Sequence, residues 1–228
     1  MLKEYDRRNE MVPYYPDSKV EIKGFEARHY DLLLDLVTFG RYSSFIKRAI
    51  ALMGIEPSDR IVDFGAGTGK NACIMMSYLS DEGEILGVDI SDEMMSQFEK
   101  KCSAYPNAKI VNARIDRPLQ LGGRFDKAFI SFVLHGFPHS ARFEIIRNAY
   151  SALKDGGEFF ILDYNEFVLS DMPFYYRIPF KLVECRYAFD YLEKNWKEIL
   201  AGEGFGDFTE HIFFRGFLRL LRAVKKTG

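Results

Sequence analysis

The stretch Arg60-Ile-Val-Asp-Phe-Gly-Ala-Gly-Thr-Gly-Lys70 carries three instructions in succession. Arg60 to Phe64 is a short apolar run, which reads as a buried strand. Gly65, Gly67 and Gly69 then make a turn, and residues 69–78 read as a helix. Such a turn lies at the carboxyl end of a sheet, where α/β folds bind ligands. Glycines there let the backbone approach a ligand closely and adopt conformations closed to other residues. The helix start near Gly69 offers N–H groups to an anionic group such as a carboxylate. The spacing is GxGxG, with Lys70 where a dinucleotide fingerprint places its third glycine, which argues against an NAD site. The turn is also too short for a Walker phosphate loop.

Working outward, residues 84–89 read as the second strand, ending in Asp89, 26 residues after Asp63. A carboxylate fixed at a strand end can accept both hydroxyls of a ribose. Ile90 and Met94 just beyond add apolar walls for an adenine. Either acid alone could simply cap a turn; both, with the glycines between them, point to a nucleoside-bearing ligand. Helices over 92–102 and 140–153 alternate with strands over 108–111, 125–132 and 158–162, the last entered through Lys154-Asp-Gly-Gly157. This alternation predicts an α/β fold with a parallel sheet covered on both faces.

The flanks differ. Residues 1–24 are polar and carry Pro13 and Pro16, and read as an arm. Helices follow over 27–39 and 42–53, stopping at Gly54. The expected organisation is an arm with lid helices over 1–54 and the main domain over 55–228. Within the latter, residues 164–189 are irregular in pattern and rich in Phe and Tyr. They suit a cap over a pocket, or equally a helical hairpin packed on the sheet. A helix over 191–201 and two strands of a closing hairpin, 207–214 and 216–224, complete the chain.

The chain has 228 residues, 47% apolar, with 31 basic against 33 acidic side chains. That length supports a full core, and a net charge of −2 argues against a strongly basic nucleic-acid binder. Cys73, Cys102 and Cys185 are scattered and suggest neither a disulfide framework nor a zinc knuckle. With four histidines equally dispersed, no metal is expected. The first residues are too polar for a signal peptide, and no apolar run approaches the roughly 18 residues of a membrane span. A cytoplasmic protein is expected.

Val62-Asp-Phe-Gly-Ala-Gly-Thr-Gly69 and Gly87-Val-Asp89-Ile-Ser resemble the first two motifs of class I S-adenosylmethionine-dependent methyltransferases. Residues 110–116, 125–137 and 153–163, with the Tyr30-Asp31 pair, are similar to the ubiquinone/menaquinone-biosynthesis C-methyltransferases. The likeness covers 27–163 and, loosely, 198–225. Residues 164–197 match nothing in that family, and an acceptor would be chosen there. The resemblance implies a Rossmann-like seven-stranded sheet of order 3-2-1-4-5-7-6, its last strand antiparallel. It also implies a donor site. Gly65, Ala66 and Gly67 would line the methionine, with Asp63 near its amino group. Asp89 would hold the ribose, Ile90 and Met94 would flank the adenine, and Ser131 to Leu134, Phe132 among them, would lie beside the methionine tail. Arg114 stands where the family usually has Asp or Asn at the adenine amino group, and an Arg cannot accept that hydrogen bond; the backbone of Ile115 could supply it. His135-Gly136 replaces the Arg-Asn common in the quinone enzymes.

Methyl transfer from a sulfonium asks the protein for alignment, exclusion of water and, for some acceptors, a base. Candidates at the strand ends are His135, His139, Asp163 and Tyr164, with Tyr30 and His29 able to close over the site. His135 precedes Gly136 after an apolar strand, which suits a place in the cleft or a hydrogen-bonded strand end. His139 reads as a helix-start cap, and His211 as structural. The leading expectation is methyl transfer to a small, apolar, aromatic or quinone-like acceptor, leaving S-adenosylhomocysteine. The alternatives are an RNA or protein methyltransferase and a non-catalytic donor-binding protein.

Overall fold

A computed structural model describes Ser18 and residues 41–227; the rest of the expected arm, the 27–39 helix, His29 and Tyr30 therefore lie outside the described residues. Helix α1 (Arg41–Ala51) precedes strand β1 (Arg60–Phe64), followed by α2 (Lys70–Met76), β2 (Glu84–Asp89), α3 (Asp92–Lys101) and β3 (Ala108–Asn112). Then come β4 (Phe125–Ser131), α4 (His139–Ala152), β5 (Leu153–Tyr164), α5 (Phe174–Val183), α6 (Arg186–Leu192) and α7 (Trp196–Gly202). Strands β6 (Phe205–Phe213) and β7 (Leu218–Lys225) close the chain.

All seven strands form one sheet in the order β3-β2-β1-β4-β5-β7-β6. The first five are parallel, and β7 runs antiparallel to both β5 and β6. Strand residues alternate between two cores, as the period of two requires. Val62, Ala128, Ile130, Phe159 and Ile161 face one layer, filled by Ile145, Ile146 and Ala149 of α4 with Trp196 and Leu200. Ile61, Phe129, Phe160 and Leu162 face the other, filled by Ile46, Ala49 and Ile50 of α1, Met75 of α2 and Phe98 of α3. A sheet covered on both faces leaves only its ends to water, so the carboxyl ends of β1, β2, β4 and β5 are where chemistry can be done.

Two expectations need correction. The turn expected at Lys154–Gly157 is a bulge inside β5: pairing jumps from Phe125↔Leu153 to Lys127↔Glu158, and Gly156 takes a positive φ. The helix expected over 191–201 is two helices, because the Asn195 side chain accepts from Glu198 N–H and caps a fresh start at Trp196. The 164–189 insertion, read from the sequence as a cap or equally as a helical hairpin, is helical and carries α5 and most of α6. Phe180 seats α5, its ring 5.1 Å from Tyr164 and 5.8 Å from Phe189. Cys73 and Cys102, far apart in sequence, come together with their Sγ atoms 2.8 Å apart. Among the described residues no helix is long and apolar enough to cross a membrane.

Candidate functional site

At the end of β1 the chain turns through Gly65 and Gly67, both with positive φ (72° and 55°), a region that L side chains enter at a cost. A Cβ on Gly65 would sit 2.8 Å from Val133 Cγ2, so packing alone demands glycine there. A Cβ on Gly67 would meet nothing nearer than the Gly65 carbonyl at 4.0 Å; the bare backbone there borders open space. Asp89 anchors this turn. Its Oδ2 accepts from Gly67 N–H at 2.8 Å, and its Oδ1 from Ile90 N–H at 2.8 Å and Ser91 N–H at 2.9 Å. Burial lifts the Asp89 pKa, opposed by those three hydrogen bonds. Three of about four acceptor positions are thus taken, leaving room on Oδ2 for one further donor.

Asp63 is different. It is 1% exposed, and its Oδ2 is buried with no hydrogen-bond partner among the described residues. Burial first, and the Asp89 charge second, push its pKa up to about 7. A buried acid left unsatisfied in this way is costly unless a cation or donor arrives to meet it. Ile90 is 37% exposed, whereas Met94 is buried. Arg114 forms a two-pronged pair with Asp116 (3.0 and 2.8 Å), and the Ile115 carbonyl accepts from Asn148 at 2.8 Å.

The end of β4 forms the facing wall. Ser131 Oγ is buried without a hydrogen-bond partner among the described residues. Phe132 has a φ of 53°, which for a bulky side chain stores about 1–3 kcal/mol of strain. That bend throws the chain into the short turn Leu134–Gly136 and turns His135 towards β5. Its Nδ1 lies 2.7 Å from Asp163 Oδ1, and its backbone N–H donates to Asp163 Oδ2 at 3.2 Å. On its other side, Nε2 faces Glu184 Oε2 at 3.5 Å, while Tyr164 Oη donates to Glu184 Oε1 at 2.6 Å. Burial works against a charged His135, but Asp163 and then Glu184 outweigh it and raise the pKa. The Tyr164 ring lies 4.9 Å from the imidazole, and Phe132 lies 6.3 Å from Tyr164.

Arg142 of α4 fixes this corner. It is fully buried and donates to the carbonyls of Leu134 (3.2 Å), His135 (3.0 Å) and Tyr187 (2.6 Å), and to Asp190 at 2.7 Å. Ser18 donates to the Gly136 carbonyl at 2.6 Å. His139 does not cap: α4 begins at it after Pro138, with no side-chain cap bond, and its Nδ1 is buried without a hydrogen-bond partner among the described residues.

Residues 61–157 match a family model described as a methyltransferase domain. The chain carries a class I S-adenosylmethionine-dependent methyltransferase domain. Among its relatives is the ubiquinone/menaquinone biosynthesis C-methyltransferase of Proteus mirabilis, 27% identical over 64% of this chain. That alignment spans only 59% of the relative, less than two thirds of its length. The corresponding enzyme of Ectopseudomonas mendocina is 24% identical over 92% of this chain and 91% of its own. In three dimensions, the magnesium protoporphyrin IX methyltransferase of Synechocystis with bound SAH has a TM-score of 0.62 at 19% identity. It covers 81% of this chain and 84% of that one, and shows the shared fold.

The residues of this methyltransferase domain fit a sulfonium amino-acid donor in two respects. The unsatisfied Asp63 oxygen suits a cationic end, and the open backbone at Gly67 leaves room for it. Reading the sequence did not single out Glu184 or Arg142. Arg142 had a visible signal, since it falls on the stripe of Ile145, Ile146 and Ala149 where an apolar residue belongs. Glu184 had none, because it reaches His135 from across the insertion.

Proposed function

We propose that the protein moves a methyl group from S-adenosylmethionine to a small, apolar, aromatic or quinone-like acceptor by in-line displacement, leaving S-adenosylhomocysteine. When bound, the donor supplies an already activated methyl on a sulfonium. In this reading Asp63 meets the donor's ammonium end, and Gly65, Ala66 and Gly67 line its methionine. Asp89 accepts from the ribose, Ile90 and Met94 flank the adenine with Arg114 and Ile115 at its edge, and Ser131 and Phe132 border the methionine tail.

The observation that carries the acceptor half is the His135–Asp163 pair set beside the Tyr164 and Phe132 rings. His135 takes a proton from the acceptor's hydroxyl or ring as the methyl arrives, and Asp163 steadies the imidazolium that results. Asp163 is a positioning residue; Tyr30, outside the described residues, is assigned to the same end from the sequence. Aromatic walls favour a flat, apolar partner, and the quinone-biosynthesis relatives agree with that class.

The test uses donor carrying a labelled methyl group, the purified protein and an extract of its source, with label counted in organic, aqueous and acid-precipitated fractions. Label in the organic fraction, lost in His135→Asn, is the expected result. Label confined to the precipitate would replace this reading with RNA or protein methylation. Donor binding without transfer to any fraction would leave a non-catalytic donor-binding protein.

A further inference from the structure

We infer that the outer face of α5 is a docking surface for an anionic lipid membrane. Phe174, Ile178 and Leu182 recur every four residues and therefore share one face of this helix. They are 66%, 56% and 77% exposed, and Tyr175 beside them and Val168 upstream are also exposed. The helix is held from its other side, through the Phe180 ring against Tyr164 and Phe189. So α5 is anchored through the half-buried Phe180 and leaves the Phe174, Ile178 and Leu182 face in water. A contiguous apolar face in water marks a contact surface.

Charge selects the occupant. Between Met172 and Arg186 the basic residues are Arg177, Lys181 and Arg186, and the sole acid is Glu184. That acid points inward, onto Tyr164 and His135; Asp171 stands at the turn before. Arg177 is half-buried and donates to the Ser170 carbonyl at 3.1 Å, whereas Lys181 and Arg186 are exposed; the outward surface is therefore apolar with two exposed cations, on a chain whose net charge is −2. Apolar and aromatic side chains bordered by Lys and Arg are the composition of helices that lie in a membrane interface, where anionic headgroups attract the basic residues. A second copy docking by this face about a two-fold axis would oppose each set of basic residues to its own counterpart, which repels. The placement also suits catalysis. Phe180 touches Tyr164, which bonds Glu184 beside His135, so the surface stands a few side chains from the candidate base. That last link rests on the apolar-acceptor reading above; the membrane contact does not.

The test is flotation of the full chain with two kinds of vesicle, phosphatidylcholine alone and phosphatidylcholine mixed with phosphatidylglycerol, read without any turnover. The protein should float with the mixed vesicles and remain below with the neutral ones. Replacing two exposed cations together, Lys181→Gln with Arg186→Gln, should weaken the binding about thirtyfold. Ile178→Ser with Leu182→Ser should abolish it while leaving the melting temperature in place, since both side chains are already in water. Absence of flotation with either vesicle, equal flotation with both, or flotation indifferent to these substitutions would overturn the proposal. So would a self-association seen in sedimentation and broken by Ile178→Ser with Leu182→Ser. None of these outcomes depends on which acceptor the enzyme methylates.

Discussion

His135 is held twice by Asp163: its Nδ1 lies 2.7 Å from one carboxylate oxygen, and its backbone N–H donates to the other at 3.2 Å. The first contact sets the ring, and the second sets the chain that carries it. The proton of a neutral His135 is therefore drawn to Nδ1, which leaves Nε2 as the atom that could take another. Nε2 faces Glu184, an acid borne by the insertion, so the acceptor must share or replace that contact.

If His135 is the base, His135→Asn should lower turnover by about 10²–10⁴ and leave the donor's dissociation constant unchanged. Calorimetry with the donor and a single-turnover assay separate the two. Equal loss in both would mean that His135 organises the donor end instead.

The pH dependence has a definite sign. Acting as a base, His135 must be neutral, and its pKa is raised above the ordinary value of 6.5. The rate should then climb as pH rises through that higher value. Arg142 opposes the shift from α4, while Glu184 adds to it from the insertion. Glu184→Gln removes one of the two acids and should move the whole profile to lower pH. A profile that stays in place would disconnect Glu184 from the titration.

Asp63 predicts a second pH effect, this time on binding. Its pKa near 7 leaves the carboxyl mostly uncharged at pH 6 and ionised at pH 8. If Asp63 meets the donor's ammonium end as proposed, the cation favours the ionised form, so affinity should increase across that interval, with up to about one proton released. Calorimetry in buffers of different ionisation enthalpy measures the release, and Asp63→Asn should flatten it. Stability follows the opposite course. A raised carboxyl pKa means that the folded state holds the proton more tightly, so stability declines from about pH 4 to pH 7. Asp63→Asn should be the more stable protein at pH 8, and the gap should close towards pH 4. A constant gap across that range would show that Asp63 does not titrate there.

Much of the turn at the ends of β1 and β2 was legible in the sequence, and for a local reason. Strands β1 and β2 fall at the residues read for them, because a short apolar run, a glycine turn and a terminal Asp are contiguous signals. Asp63 and Asp89 follow directly. The corner around His135 was only half legible. His135 and Asp163 could be named as strand-end candidates, but their pairing joins residues 28 positions apart. Glu184 and Arg142 act through contacts that cross the insertion, whose helices carry no family pattern. The break between α6 and α7 depends on Asn195 as a cap, helped by Glu166, whose carboxylate accepts from Trp196 N–H at 3.0 Å. Apolar periodicity alone runs the two helices together.

Asp89 makes a prediction with two readouts. If Asp89 accepts from the ribose as proposed, Asp89→Ala should weaken donor binding by about 1–3 kcal/mol. It also frees the N–H groups of Gly67, Ile90 and Ser91, so the melting temperature should drop as well. Asp89→Asn keeps an acceptor oxygen and should recover part of the stability without recovering the affinity. Full recovery of both would mean that the charge of Asp89 is irrelevant to the ribose.

Arg142 gives the sharpest structural test. Its guanidinium is buried, stands 5.2 Å from the Tyr191 ring and 5.6 Å from the Trp196 ring, and satisfies three carbonyls along with Asp190. Arg142→Ala leaves those acceptors unpaired and opens a void, each a recognised route to large losses, so a destabilisation of more than about 3 kcal/mol is expected. Arg142→Lys keeps the charge but not the fork, and one ammonium cannot reach carbonyls on both the His135 turn and α6. It should therefore remain folded while activity falls, because the His135 turn and the insertion bearing Glu184 lose their common tie. Denaturant unfolding of the two variants, set beside their turnover, distinguishes a clamp on the site from a general contribution to the core. If Arg142→Lys keeps wild-type turnover, the position of His135 does not depend on that clamp.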